Sequence, residues 1–118
     1  MRKEIESRLI TLSVGVNKLV MSLAKSLLNM NLGDQMIRSS TSAALNYGEA
    51  QGAESKKDFI HKTSVVLKEL RETGISLRIL SESGVVGESF DIIKLIEECN
   101  QLTAIFQKTV TTARTNKS

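Results

Sequence analysis

Ile5, Leu9, Leu12, Val16, Leu19, Leu23, Ser26 and Met30 recur at alternating steps of four and three, and seven of these eight positions are apolar. That period draws one apolar stripe along a helix from about residue 3 to residue 30. The run Asn29-Met30-Asn31-Leu32-Gly33 reads as a break rich in residues that tolerate left-handed backbone. Asp34 then caps a second helix that stops at Gln51 before Gly52. The inner stripe of this second helix is Met36, Ser40, Ala43 and Tyr47, flanked by Ile37 and Ala44, and its small side chains permit close approach of neighbouring backbones. Ser55 followed by Asp58 predicts the start of a third helix, with Phe59, Thr63, Val66, Leu70 and Leu77 inward and an end near Ser83-Gly84. Ser89 is the expected cap of a fourth, in which Ile92, Ile96, Cys99, Thr103, Phe106, Val110 and Ala113 repeat the four-three spacing before a polar tail from Arg114.

Helices of roughly 18 to 28 residues, about 27 to 42 Å long and joined by short connections, force antiparallel neighbours. The expected fold is all-α: an antiparallel up-down-up-down four-helix bundle with Leu19, Leu23, Phe59, Leu70, Ile96 and Phe106 in its core. The length of 118 residues, without an internal repeat or linker, fits a single domain over residues 1–118. Absence of Pro and Trp, with one Tyr and three Phe, removes the punctuation of all-β folds and the stacking platforms of single-strand binders. No apolar run is long enough for a membrane span. The acids in Met1-Arg2-Lys3-Glu4-Ile5-Glu6 speak against a signal peptide. One cysteine and one histidine rule out an intrachain disulfide and a His/Cys metal set, so no cofactor is expected and a reducing cytoplasm fits.

Two surfaces lie outside the bundle's needs. Ile10, Val14, Met21 and Leu28 form a second stripe, nearly opposite the first, which a monomer leaves in water; a homo-oligomer interface is the expected use, and scattered surface apolar residues are the plain alternative. On the third helix, Lys57, His61, Lys68, Arg71 and Arg78 share one broad sector, with Asp58, Glu69 and Glu72 expected elsewhere. Such a sector suits phosphates along RNA or DNA, or is a solvated face that pairs with acids of a neighbour. The bias is mild: net charge is +3, with 12 basic and 8 acidic residues before position 79. Arg114 and Lys108 follow in a stretch free of acids after Glu98. Asn46 and Glu49 are expected to order the loop after the second helix or to pair with Arg71. Cys99 reads as a small buried hydrophobe and His61 as a surface residue. Without a metal set, a nucleophile with its base or a phosphate loop, an enzyme is not expected.

The stretch from Gln35 through Ser39-Ser40-Thr41-Ser42-Ala43-Ala44-Leu45-Asn46-Tyr47-Gly48-Glu49-Ala50-Gln51-Gly52, continuing through Ser55-Lys56-Lys57-Asp58-Phe59-Ile60-His61-Lys62 to Leu67-Lys68-Glu69-Leu70-Arg71-Glu72-Thr73, resembles the bacterial four-helix-bundle family of 23S rRNA intervening-sequence proteins. The closing Ile96-Glu97-Glu98-Cys99-Asn100 is similar as well. The resemblance implies a non-enzymatic, ring-like homo-oligomer, a pentamer. It also implies kinship with the accessory variability determinants of diversity-generating retroelements, whose basic pentamers bind nucleic acid and a reverse transcriptase. It adds Arg38 to the basic residues of interest. A purely structural oligomer with a protein partner remains the other reading.

Overall fold

The computed structural model describes residues 2–87 and 91–116. Four helices follow one another: α1 (Arg2–Ser22), α2 (Leu27–Gln51), α3 (Lys56–Glu82) and α4 (Ile92–Thr115). α1 packs on α2, α2 on α3, α3 on α4 and α4 back on α1, and among the described residues no diagonal pair of helices comes into close backbone approach, which is the square cross-section of an up-down-up-down bundle. The molecule is a rod of 50 × 21 × 20 Å.

The first helix boundary differs from its expected position. α1 ends at Ser22, and α2 already begins at Leu27, so Asn29 to Gly33 form its first turns instead of a break. Ser26, the one polar member of the leading stripe, is the actual N-cap: its side chain accepts from the Asn29 N–H at 3.0 Å. The four-three pattern crosses this break unchanged because Leu23 still packs on the core from the connection, while Met30 is exposed. Asp34 caps nothing; it lies within α2 and accepts from Arg38 at 3.4 Å. Gly33 serves close approach, since a Cβ there would sit 2.8 Å from the Val20 side chain on α1.

The third helix starts as expected, with the Ser55 hydroxyl accepting from the Asp58 N–H at 3.0 Å. It ends at Glu82, followed by Gly84 at φ 71°, the left-handed backbone that glycine tolerates. Ser89 lies outside the described residues, and the cap of α4 is Asp91, which accepts from the Lys94 N–H at 3.2 Å. α4 also runs on to Thr115, so Arg114 belongs to its last turn and not to a polar tail.

Leu19, Leu70 and Phe106 are fully buried. Leu23 and Ile96 are half-buried and pack against the core, whereas Phe59, one turn into α3 at the end of the bundle, is only half-buried and stands outside the main cluster. Leu32, Leu80 and Leu102 complete the core. Tyr47 meets Phe106 edge to face, with ring centroids 5.4 Å apart. Truncation of Leu70 or Phe106 to alanine is expected to cost about 2 to 5 kcal/mol, because a close-packed site collapses only partly around a lost side chain. Urea denaturation followed by circular dichroism measures this as a fall in midpoint at constant slope.

Candidate functional site

The second stripe of α1 borders a shallow groove against α2. Ile10, Val14 and Met21 line it from α1, and Ala44 and Leu45 from α2, with Ser13, Asn17, Lys18 and Thr41 at its margins. Met21 is 84% exposed, and Ile10, Val14 and Leu45 are exposed too. Leu28, expected on this stripe, lies instead in the first turn of α2, because the helix breaks before it. Leu45, invisible in the pattern of α1 alone, takes its place through packing of α1 on α2.

The basic residues of α3 are all on the surface, but the sector is not free of acids. At 100° per residue Glu82 falls within it and Glu72 just beyond its edge, each one turn after a cation, Arg78 or Lys68. Arg78 donates to Glu82 at 3.2 Å. Glu72 is pushed above its usual carboxylate range by desolvation and by the neighbouring Glu69, against the pull of Lys68. Lys57 and His61 are exposed on the first turns of α3, while Arg38, paired with Asp34 on α2, lines a groove between α2 and α3 together with Lys68, Glu69 and Glu72.

The structure gathers a smaller basic group in the groove between α3 and α4. Lys68 and Arg71 line it from α3, Arg114 enters from the last turn of α4, and Ser64 and Gln107 supply polar groups, with Glu72 the one carboxylate among its lining residues. Arg71 donates to the Gln107 side chain, and Arg114 donates to Ser64 Oγ at 3.3 Å. These neutral partners orient both guanidinium groups without neutralising them. Arg114 is legible in the sequence only as part of an acid-free stretch; its partnership with Arg71 follows from the antiparallel pairing of α3 with α4.

Glu49 does not pair with Arg71. It accepts from Lys62 Nζ at 2.7 Å across the short α2–α3 connection, and Asn46 donates to the Ser42 carbonyl at 2.9 Å within its own helix. A bidentate pair without a signature in the sequence joins Arg8 to Glu98, at 2.9 and 2.7 Å; Arg8 also reaches Gln101, and the group ties α1 to α4. Among the described residues no three His, Cys, Asp or Glu side chains gather in a group able to hold a metal ion, and no helix is long and apolar enough to cross a membrane.

Cys99 is buried, its thiol donates to the Leu70 carbonyl at 3.2 Å, and burial pushes its pKa up to about 11. Relative to an unperturbed thiol, a shift of this size lowers the thiolate fraction near pH 8 by about a hundredfold. Labelling of Cys99 by a thiol reagent should therefore be at least that much slower in the folded than in the unfolded chain, as timed by mass spectrometry. The sign for stability follows: the unfolded thiol loses its proton first, so stability should fall as pH rises from about 9 to about 11, and Cys99→Ala should reduce that fall. Thermal melts across this interval measure it.

The model of the family described as 23S rRNA-intervening sequence protein matches residues 3–108. Among solved structures, one that superposes well is the crystal structure of a protein with unknown function from the S23 ribosomal protein family of Bacteroides thetaiotaomicron VPI-5482. Its TM-score is 0.76 at 21% identity, over 90% of this chain and 97% of that one, a likeness that establishes the fold. No curated protein matches the sequence.

Proposed function

This chain belongs to the family of 23S rRNA-intervening sequence proteins, and we propose that it acts without catalysis, as the subunit of a homo-oligomeric ring that holds nucleic acid by its backbone. The number of subunits, five, rests on the family resemblance alone. The observation that carries the reading is the placement of two unlike surfaces. The apolar α1/α2 groove and the basic α3/α4 groove lie on opposite faces of the square bundle. Association through the first removes exposed apolar side chains from water and leaves the second open in every subunit. A net charge of +3 makes each site weak, and repetition around an assembly multiplies it.

Lys68, Arg71 and Arg114 offer phosphate contacts and nothing that reads bases, so RNA and DNA of mixed sequence should both bind. The family's description, which names 23S rRNA, makes structured RNA the first ligand to try. Fluorescence anisotropy with labelled RNA should show affinity that falls steeply with salt. The combined change of Lys68, Arg71 and Arg114 to Gln should lower the logarithmic salt slope by close to one for each cation removed from a phosphate, with helicity and mass unchanged. Absence of binding at low salt with excess assembled protein would leave a structural oligomer.

Self-association has its own test. Changing Val14 and Met21 together to Glu should give a helical species of smaller mass by light scattering, because the carboxylates resist burial. Unchanged mass would remove this groove from the interface.

A further inference from the structure

The α1/α2 groove needs an occupant, and a second feature of the same molecule fits it. On the outer corner of α3, Glu72, Ile75, Ile79 and Glu82 follow each other at steps of three, four and three, which makes one ridge of two isoleucines flanked by carboxylates. Ile75 is 60% exposed and Ile79 44% exposed, though both sit on a helix whose inner face is fully packed. Neither belongs to the core pattern.

We propose that the α3 ridge of one copy seats in the α1/α2 groove of the next, so that the ring is built head to tail from these two surfaces. The inference rests on the self-association reading and specifies which faces meet; it takes Glu72 and Ile75, at the edge of the basic groove, into the interface and leaves Arg71 and Arg114, held toward α4 and Ser64, outside it.

Three properties of the two surfaces support it. The ridge spans eleven residues and the groove twelve along α1, about 15 and about 17 Å at the helical rise, so their lengths match. A line of large side chains three and four apart is the shape that enters the channel between two packed helices. Charge matches as well: Lys18, at the groove margin, makes no ion pair among the described residues, while Glu82 at the ridge has only its exposed partner Arg78. Pairs of that kind within a helix are worth a few tenths of a kcal/mol and exchange readily.

The third property is level. Ser13 on α1 hydrogen-bonds Thr41 on α2 at 3.3 Å, and Ser39 on α2 hydrogen-bonds Thr73 on α3 at 2.6 Å. Thr41 and Ser39 are two residues apart, so Val14 and Ile75 stand at the same height along the bundle to within about one turn, ~5 Å. α1 and α3 run in the same direction, so copies related by rotation about an axis parallel to the bundle bring groove and ridge to the same level within about one turn. By the same count Lys18 comes within about one turn of Ile79, and Glu82 stands about 9 Å further along the bundle. Unlike surfaces that face different directions at one height generate a closed ring, whereas a displacement along the axis would generate a filament.

The test uses two full-length variants, each with one surface spoiled. Val14→Asp loses the groove and keeps the ridge; Ile75→Asp loses the ridge and keeps the groove. Both positions are exposed, so helicity by circular dichroism should match wild type. Each variant alone should sediment at single-chain mass, and an equimolar mixture should form a species of twice that mass and no larger, because only one sound interface can form per pair. Met21→Asp and Ile79→Asp form a second such pair. Wild-type mass retained by the Ile75 and Ile79 variants, or a mixture that stays at single-chain mass, overturns the proposal. If wild type itself sediments as a single chain at tens of micromolar, self-association fails as a whole, an outcome distinct from loss of the ridge alone.

Discussion

Small side chains along the seam between α2 and α3 set the frame from which both outer grooves hang. These two helices share the longest contact in the bundle. Ser39 faces it from α2 with Ala43 buried one turn on, and Thr73, Gly74 and Ser76 are buried on α3. The Thr73 and Ser39 hydroxyls share a 2.6 Å bond, and each also lies within reach of a carbonyl of its own helix, Glu69 at 2.9 Å and Met36 at 3.5 Å. A buried hydroxyl pair this short joins the two helices at one level, so it marks the axial register as well as the distance. Slippage by one turn would part the two hydroxyls, leaving each only the carbonyl of its own helix, and drive larger side chains into the seam.

From that register the remaining contacts follow. Gly74 lets Cys99 approach α3, where a Cβ would lie 3.4 Å from the thiol sulfur, and the thiol donates to the Leu70 carbonyl. α4 is thereby set so that Arg114 faces Ser64 and Gln107 faces Arg71, which creates the basic groove. On the other side Gly33 accepts the Val20 side chain and brings α1 against α2, which creates the apolar one. Arg8 and Glu98 close the square between α1 and α4 by a bidentate pair. A half-exposed pair of this type adds orientation more than stability.

Periodicity makes the fold legible because each buried stripe lies along one helix and repeats at the helical period. It misplaces the first break for the same reason: Leu23 continues the pattern although the helix has already ended, and the cap is the serine that the pattern treats as its one flaw. The apolar groove is half legible, since Ile10, Val14 and Met21 share one helix, while Leu45 joins them only through tertiary packing. The basic site is less so. Arg114 and Arg71 are distant in sequence, and Glu72 and Glu82 stand among the cations they follow by one turn, although Glu72 is expected to point elsewhere. Ile75 and Ile79 are silent in the sequence pattern because they fall outside the core stripe, which is what makes them available to a second copy.

The central claim is that the α1/α2 groove is covered in solution, and Met21 reports on it most directly. In the isolated chain Met21 is 84% exposed and Met30, away from the groove, 63% exposed, so peroxide should convert both to the sulfoxide at similar rates if nothing covers the groove. In the assembled protein, residue-resolved mass spectrometry should find Met30 oxidised and Met21 protected, with protection lost on dilution below the association range. Equal oxidation of the two methionines at high protein concentration would contradict the account.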